Sequence, residues 1–263
     1  MTCRILMGSV LAAVVLAGAA RAELKRETIE YKDGPTVLEG FLVYDDAVSG
    51  RRPGVLVVHD WMGLGPESNA RVRCEMLARL GYVAFAADMY GKGVRPKNRD
   101  EASAGAGKFY KDRSLFRTRA GTALSYLKSH ALVDTNRVAA IGYCYGGTAI
   151  LELARSGAVL AGVVSFHGGL SATSVEDAKN IKCKVLALHG ADDPYVPADQ
   201  VAAFEKEMTD AKVDWQLVKY SGAVHAFTNP AAGNDPSAGA AYNESADRRS
   251  WIAMKDFFDE ILK

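Results

Sequence analysis

The chain has 263 residues, 49% of them hydrophobic and 24% charged, with a formal net charge of +1. That length can bury a full core as one large domain, and the composition excludes disordered and fibrous proteins. Near-neutral charge with no basic run leaves no electrostatic footing for nucleic acid.

The first 22 residues, "MTCRILMGSVLAAVVLAGAARA", set Arg4 before an apolar run from Ile5 to Ala17 and a small-residue site at Ala20-Arg21-Ala22. This is the three-part pattern of a secretory signal cleaved after Ala22, and it predicts an exported protein, periplasmic or secreted. A disordered leader or a membrane anchor is the alternative reading, but the run is short for a span. Lipidation would need a cysteine where Ala19 stands. Cleavage takes two of the 32 basic residues and none of the 31 acidic ones, so the formal charge moves from +1 to −1. It also removes Cys3 and leaves Cys74, Cys144 and Cys183. Three cysteines without a CxxC spacing indicate neither a disulfide framework nor a metal site.

Residues 23–263 carry no repeat or linker and read as one domain, expected to be a monomer without a stable membrane span. "TIEYKDGPTVLEGFLVY" predicts an opening hairpin around Gly34-Pro35. "PGVLVVHD" suits a strand buried on both faces. "ESNARVRCEMLARLG" is an amphipathic helix stopped at Gly81. The strand "YVAFAAD" follows, then a largely helical stretch over 101–130. Beyond it the pattern alternates: strand "RVAAIGY", helix "GGTAILELARSG", strand "LAGVVSFHG", strand "KVLALHG", helix "ADQVAAFEKEM", strand "DWQLVKY". The helix "ADRRSWIAMKDFFDEIL" closes the chain, and residues 222–239 read as loop. Strands alternating with helices predict an α/β protein with a mostly parallel sheet covered on both faces. Working groups then gather at the carboxyl ends of the strands, here Asp60, Asp88, Cys144, His167 and His189.

"Gly142-Tyr143-Cys144-Tyr145-Gly146-Gly147" has the form of a G-x-S-x-G nucleophile elbow with sulfur in place of oxygen. The glycines answer a steric need, because the turn holds the nucleophile in a strained backbone. The helix that follows aims its free amides at the sulfur and favours the thiolate, and the Tyr145 N–H is placed to hold an oxyanion. A bland glycine-rich turn or a phosphate-cradling loop is the competing reading. The elbow predicts the chain order nucleophile, acid, histidine. "HGADDPYVP" supplies Asp193, with Asp192 as its rival, and "SGAVHAF" supplies His225. Of the other histidines, His130 is expected at the surface, His189 and His167 in structural roles (His189 donating to backbone), and His59 in support of the site. Cys74 and Cys183 are expected in the core, with a bridge between them left open.

These segments resemble the dienelactone hydrolase family of the α/β-hydrolase superfamily. The matching pieces are "VVHDWMGL", "GYVAFAADMYG", "AIGYCYGG", "HGADDPYVP" and "VHAF", spread over about residues 55–228. The resemblance implies an α/β-hydrolase fold and a carboxymethylenebutenolidase-like hydrolase acting on small ester or lactone substrates with no metal or organic cofactor. It implies the triad Cys144, Asp193 and His225, and it adds Trp61 as the second oxyanion amide. In lactone-cleaving members a glutamate stands where this chain has Asp60 and keeps the resting thiol neutral; aspartate reaches one methylene less. Arginines that bind the dienelactone carboxylate are replaced here by Lys92 and Asn229, so that carboxylate is expected to be held more weakly. A thioesterase or carboxylesterase without lactonase activity, a non-catalytic binding protein of the same fold, and a redox or metal-binding thiol protein are the alternatives.

Overall fold

β1 (Leu24–Asp33) and β2 (Thr36–Asp45) form the expected hairpin. The computed structural model describes residues 23–263; the expected leader over 1–22, with its cleavage site and Cys3, lies outside the described residues. After the hairpin come β3 (Arg52–Val58), α1 (Asn69–Arg79) and β4 (Val83–Ala87). The stretch expected to be largely helical is two helices, α2 (Arg99–Lys111) and α3 (Ser114–Ser129). They part where the Asp112 carboxylate accepts from the Ser114 N–H at 3.0 Å. β5 (Val133–Tyr143), α4 (Tyr145–Arg155), β6 (Gly162–Phe166) and β7 (Lys184–Gly190) follow. α5 (Ala198–Asp210), β8 (Trp215–Tyr220) and α6 (Glu244–Ile261) complete the chain.

The eight strands form one sheet in the order β1-β2-β4-β3-β5-β6-β7-β8. β3 to β8 run parallel, and the hairpin joins antiparallel through β2 against β4. The apolar runs of the central strands divide between two cores because successive side chains point to opposite faces. In β3, Val55 and Val57 pack with Cys74 and Leu77 of α1 and with Met254 and Phe258 of α6. Leu56 and Val58 pack on the other side with Phe116 of α3, Ile150 of α4 and Phe204 of α5.

This topology decides where a site can form. β3 lies between β4 on one side and β5 on the other, so the chain leaves its carboxyl end in opposite directions and opens a crevice there. The loops after β3 and β5 flank that crevice, and the loops after β7 and β8 lie further along the same edge. Among the described residues no helix is long and apolar enough to cross a membrane.

Candidate active site

Cys144 sits between β5 and α4 with φ +54° and ψ −116°. A side-chain-bearing residue seldom holds such a backbone, and it persists only where its surroundings over-determine it. Here the Cys144 N–H donates to the Phe166 carbonyl at 3.0 Å and to His167 Nδ1 at 3.1 Å. Its sulfur is half-buried at the amino end of α4, whose dipole favours negative charge at that point.

His225 lies in the loop after β8, with Nε2 3.0 Å from the Cys144 sulfur. On its other side Nδ1 is 2.8 Å from the Asp193 carboxylate, in the loop after β7. The second Asp193 oxygen accepts from the Tyr195 N–H at 2.9 Å, so both carboxylate oxygens are held. His225 is itself pinned by a short bridge: its N–H donates to the Gly239 carbonyl and its carbonyl accepts from the Ala241 N–H. The structure therefore brings together the three residues selected from chain order. Asp192 instead accepts from the Gly222 N–H. Burial alone would lower the His225 pKa, but the facing sulfur and the Asp193 carboxylate outweigh it and push it up to about 10.

The loop after β3 is clamped from several directions. The Tyr90 hydroxyl donates to the Trp61 carbonyl at 2.8 Å, and the Met62 N–H donates to the Asp60 carboxylate at 2.9 Å. His59 is buried, accepts from the Met89 N–H at Nε2, and stacks on the Tyr145 ring at 5.8 Å. Among the described residues, neither the Trp61 nor the Tyr145 N–H donates to another protein group. Burial lowers the His59 pKa and raises that of Asp60, so this end of the crevice disfavours charge.

A second imidazole ties the nucleophile to the histidine loop, which sequence reasoning did not anticipate. His167 accepts from the Cys144 N–H at Nδ1, so its proton is on Nε2, which donates to the Thr228 hydroxyl at 2.8 Å. The Thr228 carbonyl in turn accepts from Arg73 at 2.9 Å, and Arg73 is paired with Asp247 at 2.7 Å. Burial, reinforced by the nearby His225, depresses the His167 pKa strongly and keeps this ring neutral. Of the four non-glycine residues with positive φ among the described residues, three cluster at the site: Cys144, His167 and Ala226. Such clustering is characteristic of functional loops.

The remaining expected residues are placed elsewhere or differently. Asp60 spends its carboxylate on its own turn at Met62, and among the described residues the one side chain bonded to the Cys144 sulfur is His225. Lys92 is exposed and ion-paired with Glu30 on the hairpin. Asn229 caps a short 3₁₀ turn, Pro230–Ala232, through the Ala231 N–H. His189 is buried as expected, but its Nδ1 has no partner among the described residues, so the expected donation to backbone is not made there. His130 is half-buried against the Tyr44 ring rather than at the surface. Cys74 and Cys183 are both buried and free; they belong to cores on opposite faces of the sheet, which excludes the bridge left open above. Among the described residues no group of three or more histidine, cysteine or acidic side chains is disposed to hold a metal ion.

A mostly parallel sheet with an elbow after its fifth strand and acid and histidine on later loops defines a hydrolase of the α/β-hydrolase fold. The chain belongs to the dienelactone hydrolase family, whose model matches residues 38–262. It is 30% identical to Protein usf of Aquifex pyrophilus, over 80% of this chain and 89% of that protein. It is equally similar, at 30%, to a candidate carboxymethylenebutenolidase of Aquifex aeolicus, over 80% and 89% of the two chains. Among solved structures, a dienelactone hydrolase-like promiscuous phosphotriesterase from metagenomic libraries superposes with a TM-score of 0.87. That protein shares 41% identity, over 92% of this chain and 100% of its own. The protein is accordingly a hydrolase of ester bonds, which sets aside the binding-protein and redox alternatives.

Proposed function

We propose that this protein hydrolyses carboxylic esters and lactones by acyl transfer to Cys144. The observation that carries this reading is the contiguous line from sulfur to His225 at 3.0 Å and from His225 to Asp193 at 2.8 Å. His225, its pKa pushed up to about 10 by the facing sulfur and the Asp193 carboxylate, stands within hydrogen-bond reach of the nucleophile and can exchange a proton with it. Thiolate attacks the carbonyl carbon, and the resulting oxyanion is held by the amides of Trp61 and Tyr145. His225 then gives its proton to the departing oxygen, which frees the alcohol or opens the lactone and leaves a thioester. The neutral imidazole next removes a proton from water, which attacks the thioester and restores the thiolate. Asp193 fixes the imidazole so that Nε2 faces the sulfur, and it supports the positive charge. Phosphotriesters are a second substrate class to assay, because the 41% identical structural relative is described as a phosphotriesterase. The apolar run before Ala22 supports export of the mature chain.

The pH profile tests this assignment. A histidine whose pKa is raised keeps its proton until the pH passes that raised value. The parent's kcat/KM is therefore expected to hold through neutral pH and to fall only as pH approaches about 10. Asp193→Asn removes one of the groups that raise it, so the alkaline limb should move to lower pH and the rate should drop roughly 10³-fold or more. An Asp193→Asn profile that kept the parent's alkaline limb would contradict the assignment.

A further inference from the structure

Tyr195 is an anomaly beside a buried site. Its neighbours Asp193 and Val196 are 4% and 3% exposed, yet Tyr195 is 60% exposed. Its ring stands edge-on to His225, with centroids 5.3 Å apart and an interplanar angle of 86°. The main chain beneath the ring is held: the Tyr195 N–H donates to the same Asp193 carboxylate that orients His225. Gly239, which accepts the His225 N–H, backs the phenol closely enough that an added Cβ would lie 3.2 Å from its hydroxyl. Exposed and edge-on to His225, this ring offers an aromatic surface beside the catalytic imidazole that a bound group can cover.

The chemistry of the site says what that is. His225 has two edge-on aromatic neighbours, His167 at 5.3 Å and Tyr195 at 5.3 Å. His167 is 2% exposed and bonded at both ring nitrogens, so it cannot meet a substrate. The open flank of His225 is therefore the Tyr195 flank. The oxygen that departs must lie within reach of Nε2, while the carbonyl oxygen is drawn away toward Trp61 and Tyr145. Whatever substituent the departing oxygen carries then extends past the imidazole on its open side.

We propose that Tyr195 is the platform for the leaving group and that esters of phenols and other aromatic alcohols are the preferred substrate class. This rests on the acyl-transfer reading above, because only a step in which His225 protonates the departing oxygen places that group here. The ring presents a π surface, so it selects by apolar and edge-to-face contact.

The test compares phenyl acetate with hexafluoroisopropyl acetate, whose alcohols are of similar acidity and whose acyl-enzyme is the same. Tyr195→Ala is expected to lose about 3- to 10-fold in kcat/KM on the phenyl ester, the size of an aromatic contact, and to change little on the alkyl ester. Tyr195→Phe should keep the parent's ratio, and Tyr195→Leu should lose it. Hydrolysis of the common acetyl-enzyme should be unchanged in all three, because the leaving group has already gone. Equal losses on both esters, or no loss on either, would overturn the platform. A Cys144→Ala control keeps the two claims apart: surviving turnover there overturns acyl transfer, whereas the phenyl-to-alkyl ratio reports on Tyr195 alone.

Discussion

Cys144→Ala is expected to lower kcat/KM on an activated ester by about 10⁴-fold or more while leaving the fold intact. The size follows from what is removed. Without sulfur the proposed covalent intermediate cannot form, and His225 loses the partner that helps hold its proton. The Trp61 and Tyr145 amides that we propose hold the oxyanion stay in place, so a residue of catalysis over water should persist. Stability should change little, because alanine meets the same φ of +54° that cysteine already tolerates. Urea denaturation alongside the ester assay separates the two: activity gone with an unmoved midpoint is the expected pair of results.

Gly146→Ala is expected to destabilise the protein by about 3 kcal/mol or more and to abolish activity with it. An added Cβ would stand 2.2 Å from the Val58 carbonyl oxygen and 2.6 Å from that of His59. Both are backbone atoms at the end of β3, so no side-chain rotation relieves the clash. Either α4 moves away from the sheet or the loop bearing Trp61 is pushed out, and both disturb the ground around Cys144. Gly142 is under the same constraint from within the elbow, where an added Cβ would stand 2.0 Å from the Gly146 carbonyl oxygen. Gly121→Ala in α3 is the matched control, since a Cβ there meets nothing within 4 Å. It should stabilise by roughly 0.5–1 kcal/mol through helix propensity. Denaturant midpoints of the two variants should therefore move in opposite directions.

Most of the architecture was legible because its signals are local. Continuous apolar runs marked β3 and β4, glycines marked the elbow, and the order of cysteine, aspartate and histidine along the chain singled out the residues that the sheet edge brings together. What sequence reasoning missed depends on partners far apart in the chain. Arg73 supports the Thr228 carbonyl across 155 positions, and no periodicity announces such a pair. His167 looked like one more residue at a strand end; its bond to the Cys144 amide exists only because β5 and β6 are neighbours. Lys92 and Asn229, which the resemblance places at the substrate carboxylate, bond here to partners close at hand, Glu30 on the hairpin and the Ala231 amide. The significance of Tyr195 needed both its exposure and its angle to His225, neither of which composition encodes.

The most direct test of the account is to trap the intermediate. The parent protein is mixed with an activated ester, quenched in acid within the first turnovers, and its intact mass and peptides are measured. A mass increase of one acyl group, localised to Cys144 and lost again as product forms, is the predicted result. Turnover at the parent's rate with no acyl group on Cys144, or with that sulfur already capped by alkylation, would contradict it.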